Sequence, residues 1–351
     1  MNPFRAFYEI YDMLSRGGIT MEKTLLLNKS EIGSLIDLDA VQLAVEDAYR
    51  SFNSGKVVQP DFMCVNLPDS HAGIDFKGGM DLGNGFLTIK ASTGGYDNNK
   101  ELGLPTGMNT VLLFDAYTSF LKCVMDATWI TGCRTAAAGA ISVKYLSRED
   151  ANVLCVIGAG NQARRQLRAI MRVRNLTKVL VWNAFREEMD TYVKEMSQET
   201  GLPIYACETP EEAISQADIV VTTTRGILPP VVKRSLLKPG THIAAIGADM
   251  PNKQELCTDV FKGAKIVNDS IHLCSTHGET HHALEEGVIK VSDIYGEIGE
   301  IILGKKPGRE NPEEITIFDT VGMAVQDTAT ASMLYKGALE KNLGTWFDFM
   351  A

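Results

Sequence analysis

The sequence lacks the features that would direct it to a membrane or to nucleic acid. It has no apolar run as long as a membrane span, and residues 1–20 lack the apolar core and cleavage site of a signal peptide. Acidic residues outnumber basic ones, 44 to 34, and the net charge is −10. This excess of negative charge disfavours nucleic acid and anionic membranes as partners.

Cysteine pairs are also absent. The seven cysteines are scattered with no C-x-x-C pair, which is typical of reduced thiols in a cytoplasmic protein. The chain has the composition of a globular enzyme, with 45% hydrophobic and 22% charged residues, and its 351 residues leave room for two domains. Residues 1–20 are interpreted as an extension, since Met21 opens a more ordinary N-terminal sequence.

One stretch carries the strongest functional signal. Val153–Ile157 is a short apolar run with β-branched residues, as expected of a buried parallel strand, and Gly158 follows directly. With Gly160 and Ala163 it forms the pattern G-x-G-x-x-A between a predicted strand and a predicted helix. The glycines let the chain turn sharply and let backbone N–H groups approach a pyrophosphate. The predicted dinucleotide-binding residues of this turn are Gly158, Gly160, Asn161, Gln162 and Ala163.

The choice between NAD and NADP depends on the end of the next predicted strand, at residues 179–182. NAD-specific sites usually place Asp or Glu there, to accept from the ribose 2′-hydroxyl. This chain has Asn183, which carries no charge to repel a 2′-phosphate, and Arg186 lies three residues on. The pattern slightly favours NADP, or tolerance of both cofactors. The alternative is that Arg186 is merely solvated at the start of the next helix.

The rest of the chain shows two kinds of pattern. Short strand-like runs separated by Gly, Asn and Asp predict a mainly antiparallel region at residues 24–27, 62–65, 73–76, 86–89, 111–114 and 122–125. A helix at residues 129–146 follows, and strands then alternate with helices, at residues 206–208, 218–222, 242–246, 265–267 and 315–318.

This order predicts an α/β fold. We expect a Rossmann-type, doubly wound parallel sheet at residues 131–318. Residues 1–130 and 319–351 form a second, β-rich domain that the C-terminal helix completes. The substrate cleft is expected between the two domains.

Several segments together resemble the ornithine cyclodeaminase/μ-crystallin family, which also holds archaeal-type alanine dehydrogenases and imino-acid reductases. They occur in the family's order over roughly residues 24–345. The segments are Gly-Leu-Pro at 103–105, Cys-Arg-Thr-Ala-Ala at 133–137, Ile-Gly-Ala-Gly-Asn-Gln-Ala at 157–163, Gly-Ala-Asp-Met-Pro at 247–251, Gly-Glu at 278–279 and Phe-Asp-Thr-Val-Gly at 318–322. The resemblance implies a homodimer joined through the β-rich domain, which would also bind substrate, and hydride transfer between nicotinamide and an amino-acid α-carbon.

The resemblance also implies roles for three charged residues. Arg134 would grip the substrate α-carboxylate, because a guanidinium pairs both carboxylate oxygens and fixes the orientation of the molecule. Lys90 matches the family's active-site lysine, which holds the carboxylate or donates a proton to a developing amine. Asp249 would hold an ammonium or iminium group and act as general base. The residues predicted to line the nicotinamide end are Thr222, Thr223, Thr224, Val321 and Gly322.

One departure from the family concerns the substrate. Many members carry Gln-Pro-x-Arg where this chain has Phe62 in place of the arginine, which argues against ornithine. Lys77 is a candidate replacement for that cation, and Asp75, two residues earlier, would share its face of a strand. Lys77, Lys90 and Arg134 together would hold a substrate with two carboxylates, such as an iminosuccinate-like acid.

A metal site is the competing interpretation of Cys274, His277, His281 and His282, whose spacing suits zinc. We favour the start of a polar helix, because such patterns specify a metal site only loosely, and we predict no metal.

The sequence thus predicts a cytoplasmic, homodimeric NAD(P)-dependent enzyme acting at the α-carbon of a small amino or imino acid. The alternative is an ornithine cyclodeaminase, which forms proline and ammonia with no net redox change. A further alternative is a non-catalytic NADPH-dependent binding protein, as μ-crystallin-like members can be.

Overall fold

The computed structural model describes residues 23–66, 73–94, 101–105, 107–226 and 229–351. The interpretation of residues 1–20 as an extension lies outside these ranges. Within them, no helix is both long enough and apolar enough to cross a membrane.

The described ranges form two sheets and the helices that cover them. The strands are β1 (Thr24–Leu27), β2 (Val57–Val58), β3 (Met63–Asn66), β4 (Gly73–Asp81), β5 (Phe86–Gly94), β6 (Gly107–Asp115), β7 (Leu121–Asp126), β8 (Val153–Ile157), β9 (Lys178–Trp182), β10 (Ile204–Ala206), β11 (Ile219–Thr222), β12 (His242–Ala245), β13 (Lys265–Asn268), β14 (Ile294–Glu297), β15 (Thr316–Asp319) and β16 (Thr345–Phe347). The helices are α1 (Lys29–Leu35), α2 (Leu38–Asn53), α3 (Thr128–Leu146), α4 (Asn161–Ile170), α5 (Arg186–Thr200), α6 (Pro210–Ile214), α7 (Ile271–Cys274), α8 (Gly278–Glu285), α9 (Ile298–Ile302) and α10 (Ala324–Glu340). Short 3₁₀ turns lie at Arg234–Leu236, Thr258–Phe261 and Val291–Asp293.

The N-terminal sheet has the strand order β16-β1-β7-β6-β5-β4-β2, and β3 also pairs with β4. Its pairs are antiparallel except for β1 with β7, which agrees with the predicted mainly antiparallel character. Strand β4 extends beyond the predicted end at residue 76 and continues through Gly78 and Gly79 to Asp81. A side chain at Gly79 would come within 2.8 Å of the Cβ of Ala324, so glycine lets α10 lie close on the sheet.

The C-terminal helix α10 returns to this sheet, as predicted, and packs against β4, β5 and β6. Its buried surface combines apolar residues with several polar ones. Thr328 shares a hydrogen bond of 2.7 Å with Thr88 of β5, while Gln326 and Asp327 are completely buried. Buried polar groups need partners, and those of Gln326 and Asp327 lie in the candidate site described below.

The second sheet is parallel throughout and has the order β10-β9-β8-β11-β12-β15-β13-β14. Alternate residues of β8 enter different cores: Leu154 and Val156 on one face, Cys155 and Ile157 on the other. Both faces are therefore covered, as in a doubly wound Rossmann-type sheet. The prediction of this fold is confirmed.

Two parts of the second sheet differ from the prediction. The run predicted at residues 206–208 forms β10 two residues earlier, at Ile204–Ala206. Cys207 and Glu208 instead lead into α6, where Thr209 accepts a hydrogen bond from the backbone N–H of Glu212 and caps the helix. Strand β14 is short and carries Tyr, Gly and Glu, so it lacks the apolar run that predicts a buried strand.

Helix α3 lies between the two sheets. It begins within a residue of the predicted start and contacts α2 and α10 as well as α4. Gly139 is one of its contact points, since a Cβ there would lie 2.1 Å from Oε1 of Gln166 on α4. The small residues of α3 thus let the helix that follows the glycine turn pack closely.

Candidate active site

A cleft of about 850 Å³ opens at the carboxyl ends of β8, β9 and β11, where ligands bind in sheets of this topology. The glycine turn forms its floor. Gly158 has φ +108°, and a side chain there would lie 2.9 Å from Oγ1 of Thr223. Above Gly160 the space is open, with no atom of the described residues within 4 Å of a Cβ position. Ala163 is completely buried, as close packing of α4 on the sheet requires.

The start of α4 fits a dinucleotide. Asn161 is its first residue and Gly160 its N-cap, which has no side chain to occupy the first backbone N–H groups of the helix. Those N–H groups and the helix dipole favour an anion such as a pyrophosphate. Gln162 adds a buried Nε2 that has no hydrogen-bond partner in the part of the chain described. The residues therefore suit the pyrophosphate of a nicotinamide dinucleotide.

The wall beyond β9 contains Asn183, which lines the cleft. Its Nδ2 donates to the backbone oxygen of Phe185 at 3.1 Å and to Oε2 of Glu188 at 2.9 Å. Arg186 lies elsewhere. It pairs with Asp190 at 2.9 Å and with Glu208 at 2.6 Å, and it is not among the described residues that line the cleft.

The opposite wall follows β11, which ends at Thr222. Thr223 and Thr224 line the cleft, Thr223 Oγ1 donates to the backbone oxygen of Ile157 at 3.2 Å, and the N–H of Thr224 donates to Glu255 at 2.5 Å. The threonine segment is thereby fixed against both β8 and the loop that holds Glu255.

Three cations gather where the N-terminal sheet meets α3 and α10. Arg134 Nε donates to Asp327 at 3.1 Å, and Lys90 Nζ lies 2.7 Å from the other oxygen of the same carboxylate. Arg134 Nη1 also donates to Oε1 of Gln326 at 3.2 Å. Lys77 is the cross-strand neighbour of Lys90. We call Lys77, Lys90, Arg134 and Asp327 the cation cluster.

Burial sets the protonation of this cluster. Burial and the nearby Arg134 lower the pKa of Lys90 to about 7, although Asp327 opposes the shift. Burial alone would raise the pKa of Asp327, but Lys90 and Arg134 outweigh it and hold the pKa below its ordinary value. Lys90 is therefore able to give or take a proton near neutral pH while its partner carboxylate stays ionised.

Lys77 fixes the segment before α10. Its Nζ donates to the backbone oxygens of Val321 at 2.8 Å and Gly322 at 3.0 Å, and it lies 4.0 Å from the centre of the Phe62 ring. Burial and Arg134 lower its pKa. Gly322 has φ +79°, and a Cβ there would lie 2.3 Å from Nη1 of Arg134. Only glycine fits between the two cations.

Asp249 faces this cluster from the second sheet. Its carboxylate accepts from Lys253 Nζ at 2.7 Å and is 46% exposed. The protein around this partly exposed carboxylate displaces water and would raise its pKa, but Lys253 and Lys77 together hold the pKa below its ordinary value. His277 lies against the edge of Phe62, with ring centres 5.5 Å apart. The phenylalanine that replaces the family arginine thus sits between Lys77 and a histidine.

Asp75 lies further along β4, opposite Cys64 of β3. Partial burial and the Asp75 carboxylate raise the pKa of the Cys64 thiol to about 11. The role of Asp75 as a substrate ligand stays a prediction.

Four buried carboxylates lie at or after strand ends, in α8 and in a loop beside the second sheet, and we call them the carboxylate ladder: Asp269, Asp319, Glu279 and Glu255. Each accepts backbone N–H groups from another segment. The donors are Gly322 for Asp269, Glu279 and Thr280 for Asp319, Glu255 and Leu256 for Glu279, and Thr224 and Gly247 for Glu255. Burial raises the pKa of Asp319 to about 7 and that of Glu279 well above its ordinary value.

The residues considered for zinc point to separate partners. Cys274 donates to Asp269 and to the backbone of Asp319, and His282 bonds the backbone oxygen of Lys253 at 2.7 Å. Among the residues that the structure describes, no group of three or more His, Cys, Asp or Glu side chains could hold a metal ion. The expectation of no metal stays a prediction.

Asp327 is the residue that the sequence reasoning missed. It lies 193 positions from Arg134 in the chain, so no local pattern links the two. A signal was nevertheless present: a Gln-Asp pair interrupts a run of small and apolar residues in the C-terminal helix. Three buried cations also require a counter-charge, and Asp327 was not among the residues predicted for the site.

The parallel sheet, the glycine turn and the adjoining cleft define a Rossmann-type dinucleotide-binding protein, and the cation cluster lies where the N-terminal sheet meets α3 and α10. The chain belongs to the ornithine cyclodeaminase/mu-crystallin family, whose model matches residues 22–342. This confirms the resemblance seen in the sequence.

Three relatives are informative. The chain is 40% identical over 327 residues to an alanine dehydrogenase of Archaeoglobus fulgidus, with 93% of this chain and 99% of that protein covered. The structure of an archaeal alanine dehydrogenase dimer with bound NAD matches with a TM-score of 0.88 and 38% identity. The match covers 93% of this chain and 100% of the other. The iminosuccinate reductase of Paracoccus denitrificans in complex with NAD⁺ matches with a TM-score of 0.87 and 33% identity, covering 93% and 100%.

Proposed function

We propose that the protein is an NAD(P)-dependent oxidoreductase that transfers a hydride at the α-carbon of a small L-amino acid or imino acid. The observation that carries the proposal is the buried Arg134, fixed by Asp327 and Gln326 beside a lysine with a pKa near 7. The kinship with an alanine dehydrogenase and an iminosuccinate reductase supports it.

The cofactor would be held by the glycine turn and the two walls of the cleft. The residues proposed to bind it are Gly158, Gly160, Asn161, Gln162, Ala163, Asn183, Thr222, Thr223, Thr224, Val321 and Gly322. Of these, Gly158, Gly160, Asn161, Asn183, Thr223 and Thr224 line the cleft. When bound, the nicotinamide supplies or accepts the hydride at the substrate α-carbon.

Arg134 would orient the substrate. Asp327 and Gln326 take Nε and Nη1, and Nη2 has no acceptor among the described residues. A substrate carboxylate would meet a guanidinium that is already fixed, so little conformational entropy is lost on binding. Asp327 acts here as a positioning residue, because it touches Arg134 and Lys90 and is itself completely buried.

Two groups would handle the protons. Protonated Lys90 donates to the developing amine in reduction, and neutral Lys90 takes that proton in oxidation. Asp249, ionised and partly exposed, holds the ammonium or iminium group from the opposite wall and acts as base for water. Lys77 and Asp249 lie close enough for Lys77 to lower the pKa of that carboxylate, so the site spans both sheets.

The substrate side chain would point towards Phe62, His277 and Lys77. Two backbone carbonyls occupy two donors of Lys77, which leaves a third N–H for a ligand. The cluster carries more positive than negative charge, and this favours an acid with a second carboxylate over a side chain that ends in an ammonium. We therefore favour an iminosuccinate-like acid and hold ornithine cyclodeamination as the alternative.

The assembly proposed with this function is a cytoplasmic homodimer. Residues 1–130 and 319–351 would form the substrate-binding and dimerisation domain, and residues 131–318 the NAD(P)-binding domain. Exposed apolar side chains on the N-terminal sheet support this: Val58, Met63 and Val65 are each more than half exposed, at 60%, 57% and 53%. An archaeal relative forms a dimer.

The test is net consumption of reduced nicotinamide by the purified protein. The substrates are 2-oxo acids with ammonia, including oxaloacetate, and cyclic imino acids, with the oxidised cofactors and L-amino acids in the reverse direction. We expect net oxidation of the reduced cofactor, fastest with a dicarboxylate. Ammonia release from ornithine with no net redox change would establish the cyclodeaminase instead. A non-catalytic binding protein would give neither signal and would keep its ligand affinity in Asp249→Asn.

A further inference from the structure

We infer that Glu188, positioned by Asn183, selects NAD over NADP. The inference rests on the proposed use of a nicotinamide dinucleotide, and it opposes the preference that the sequence suggests. That preference depended on an uncharged Asn183 and on a nearby Arg186 as a ligand for the 2′-phosphate.

The structure removes the reason for expecting NADP. Arg186 is turned to the surface, where Asp190 and Glu208 take its guanidinium. Arg164 does line the cleft, but it pairs with Glu195 and donates to the backbone oxygen of Ala159. Neither guanidinium is directed at the end of β9, where the ribose 2′ position lies in this fold.

The same place carries a carboxylate that the sequence rule does not anticipate. Glu188 is in the first turn of α5 and reaches back to Asn183, whose Nδ2 donates to it at 2.9 Å. Because the two donors of the amide are taken by Glu188 and the backbone oxygen of Phe185, Asn183 offers only its oxygen to a ligand. Both residues line the cleft.

This end of the cleft therefore presents acceptors and negative charge. A ribose 2′-hydroxyl donates a hydrogen bond and fits such a surface. A 2′-phosphate has only acceptors and carries a charge of about −2 at neutral pH. Glu187 also lines the cleft and adds to the repulsion, whereas the charge of Glu195 is compensated by its ion pair with Arg164. Arg225 follows β11 and lines the opposite wall of the cleft.

The experiment is a fluorescence titration of the full-length protein with NADH and with NADPH, so it does not require a known substrate. We expect NADH to bind at least about tenfold more tightly, as one unit of charge repulsion at contact distance implies. Glu188→Gln should reduce that ratio about tenfold, mainly through tighter NADPH binding. Glu199→Gln is the control, since it removes the same charge from α5 at a residue that is not among the described residues lining the cleft, and it should change the ratio less than about twofold.

Three results would overturn the inference: equal binding of both cofactors by the unaltered protein, an unchanged ratio in Glu188→Gln, or an equal loss of both affinities in that variant. Arg225→Ala separates the remaining cation. If that variant alone loses NADPH affinity while NADPH is the tighter ligand, the cleft uses Arg225 as a 2′-phosphate site and Glu188 selects nothing. Failure to bind either cofactor would instead contradict the proposed function.

Discussion

Charged side chains are buried in two regions of the molecule, the cation cluster and the carboxylate ladder, but their surroundings differ. In the cation cluster, Lys90 and Arg134 share the carboxylate of Asp327, which comes from a distant helix. In the carboxylate ladder, Asp319 and Glu279 accept backbone N–H groups, and burial raises the pKa of both. The cation cluster keeps its shared carboxylate ionised beside a lysine with a pKa of about 7, while the ladder uses carboxyl groups to hold loops.

The difference separates reactive charge from structural charge. A buried ion pair with an unused donor, such as that of Arg134, is prepared to bind an anion. A carboxyl group whose oxygens are occupied by backbone N–H groups has little capacity left for a ligand. The ladder nevertheless serves the site, because Asp269 fixes Gly322 and Glu255 fixes Thr224 on either side of the expected nicotinamide position.

The largest expected effect comes from removing the shared carboxylate. Asp327→Ala leaves Lys90 and Arg134 without their buried counter-charge, and we expect a loss of roughly 3–5 kcal/mol in the free energy of unfolding. The loss should be larger at pH 6 than at pH 9, because Lys90 can shed its proton at the higher pH. Chemical denaturation at both values measures it. Asp47→Ala, which removes an exposed partner of Arg50, should cost less than about 1 kcal/mol; equal losses would show that Asp327 has no special role.

A second change tests the guanidinium itself. Arg134→Lys keeps the charge but loses the planar fork, so kcat/KM for the carboxylate substrate should fall roughly a hundredfold. The dissociation constant of the reduced cofactor should stay unchanged, since Arg134 is not among the described residues lining the cofactor cleft. A fall in cofactor affinity with an unchanged KM for the acid would show that Arg134 binds the cofactor and not the substrate carboxylate.

The pH dependence tests Lys90. With a pKa of about 7, Lys90 is protonated below pH 7, so the rate of imine reduction should fall as the pH rises through 7. Oxidation of the amino acid needs the neutral lysine and should rise over the same interval. Because Asp327 raises this pKa, Asp327→Asn should move the inflection to lower pH by roughly one unit or more. An inflection that persists in Lys90→Met would belong to another group.

The smallest expected effect is on the ladder. Glu255→Gln turns an amide N–H group towards the backbone donors of Thr224 and Gly247, and we expect a loss of about 1–2 kcal/mol in stability. The dissociation constant of NADH should rise about fivefold, because a loosened threonine segment holds the cofactor less well. Glu285→Gln, at a side chain that is 66% exposed, is the control and should alter neither quantity. Loss of the pH inflection in Glu255→Gln would contradict the division between a reactive cation cluster and a structural carboxylate ladder.

The parts of this protein that could be predicted from the sequence are those determined by residues close together in the chain. The strand, glycine turn and helix from Val153 to Ala163 lie within a few residues of one another, and each residue type has a steric reason to be there. Asp327 could not be predicted in this way, because its partners are joined to it only when α10 folds back on the N-terminal sheet. Glu188 was missed for a related reason. The rule for NAD specificity considers the residue at the end of β9, whereas this carboxylate belongs to the helix that follows, α5.

The central claim is that a hydride moves between the nicotinamide and a substrate α-carbon held by Arg134. The most direct measurement uses NADH with deuterium at both C4 positions of the nicotinamide, a 2-oxo acid and ammonia, with mass spectrometry of the amino acid formed. The account predicts one deuterium at the α-carbon for each NADH consumed, and a loss of that product in Arg134→Lys. An α-carbon without deuterium, or labelled product unaffected by Arg134→Lys, would contradict it.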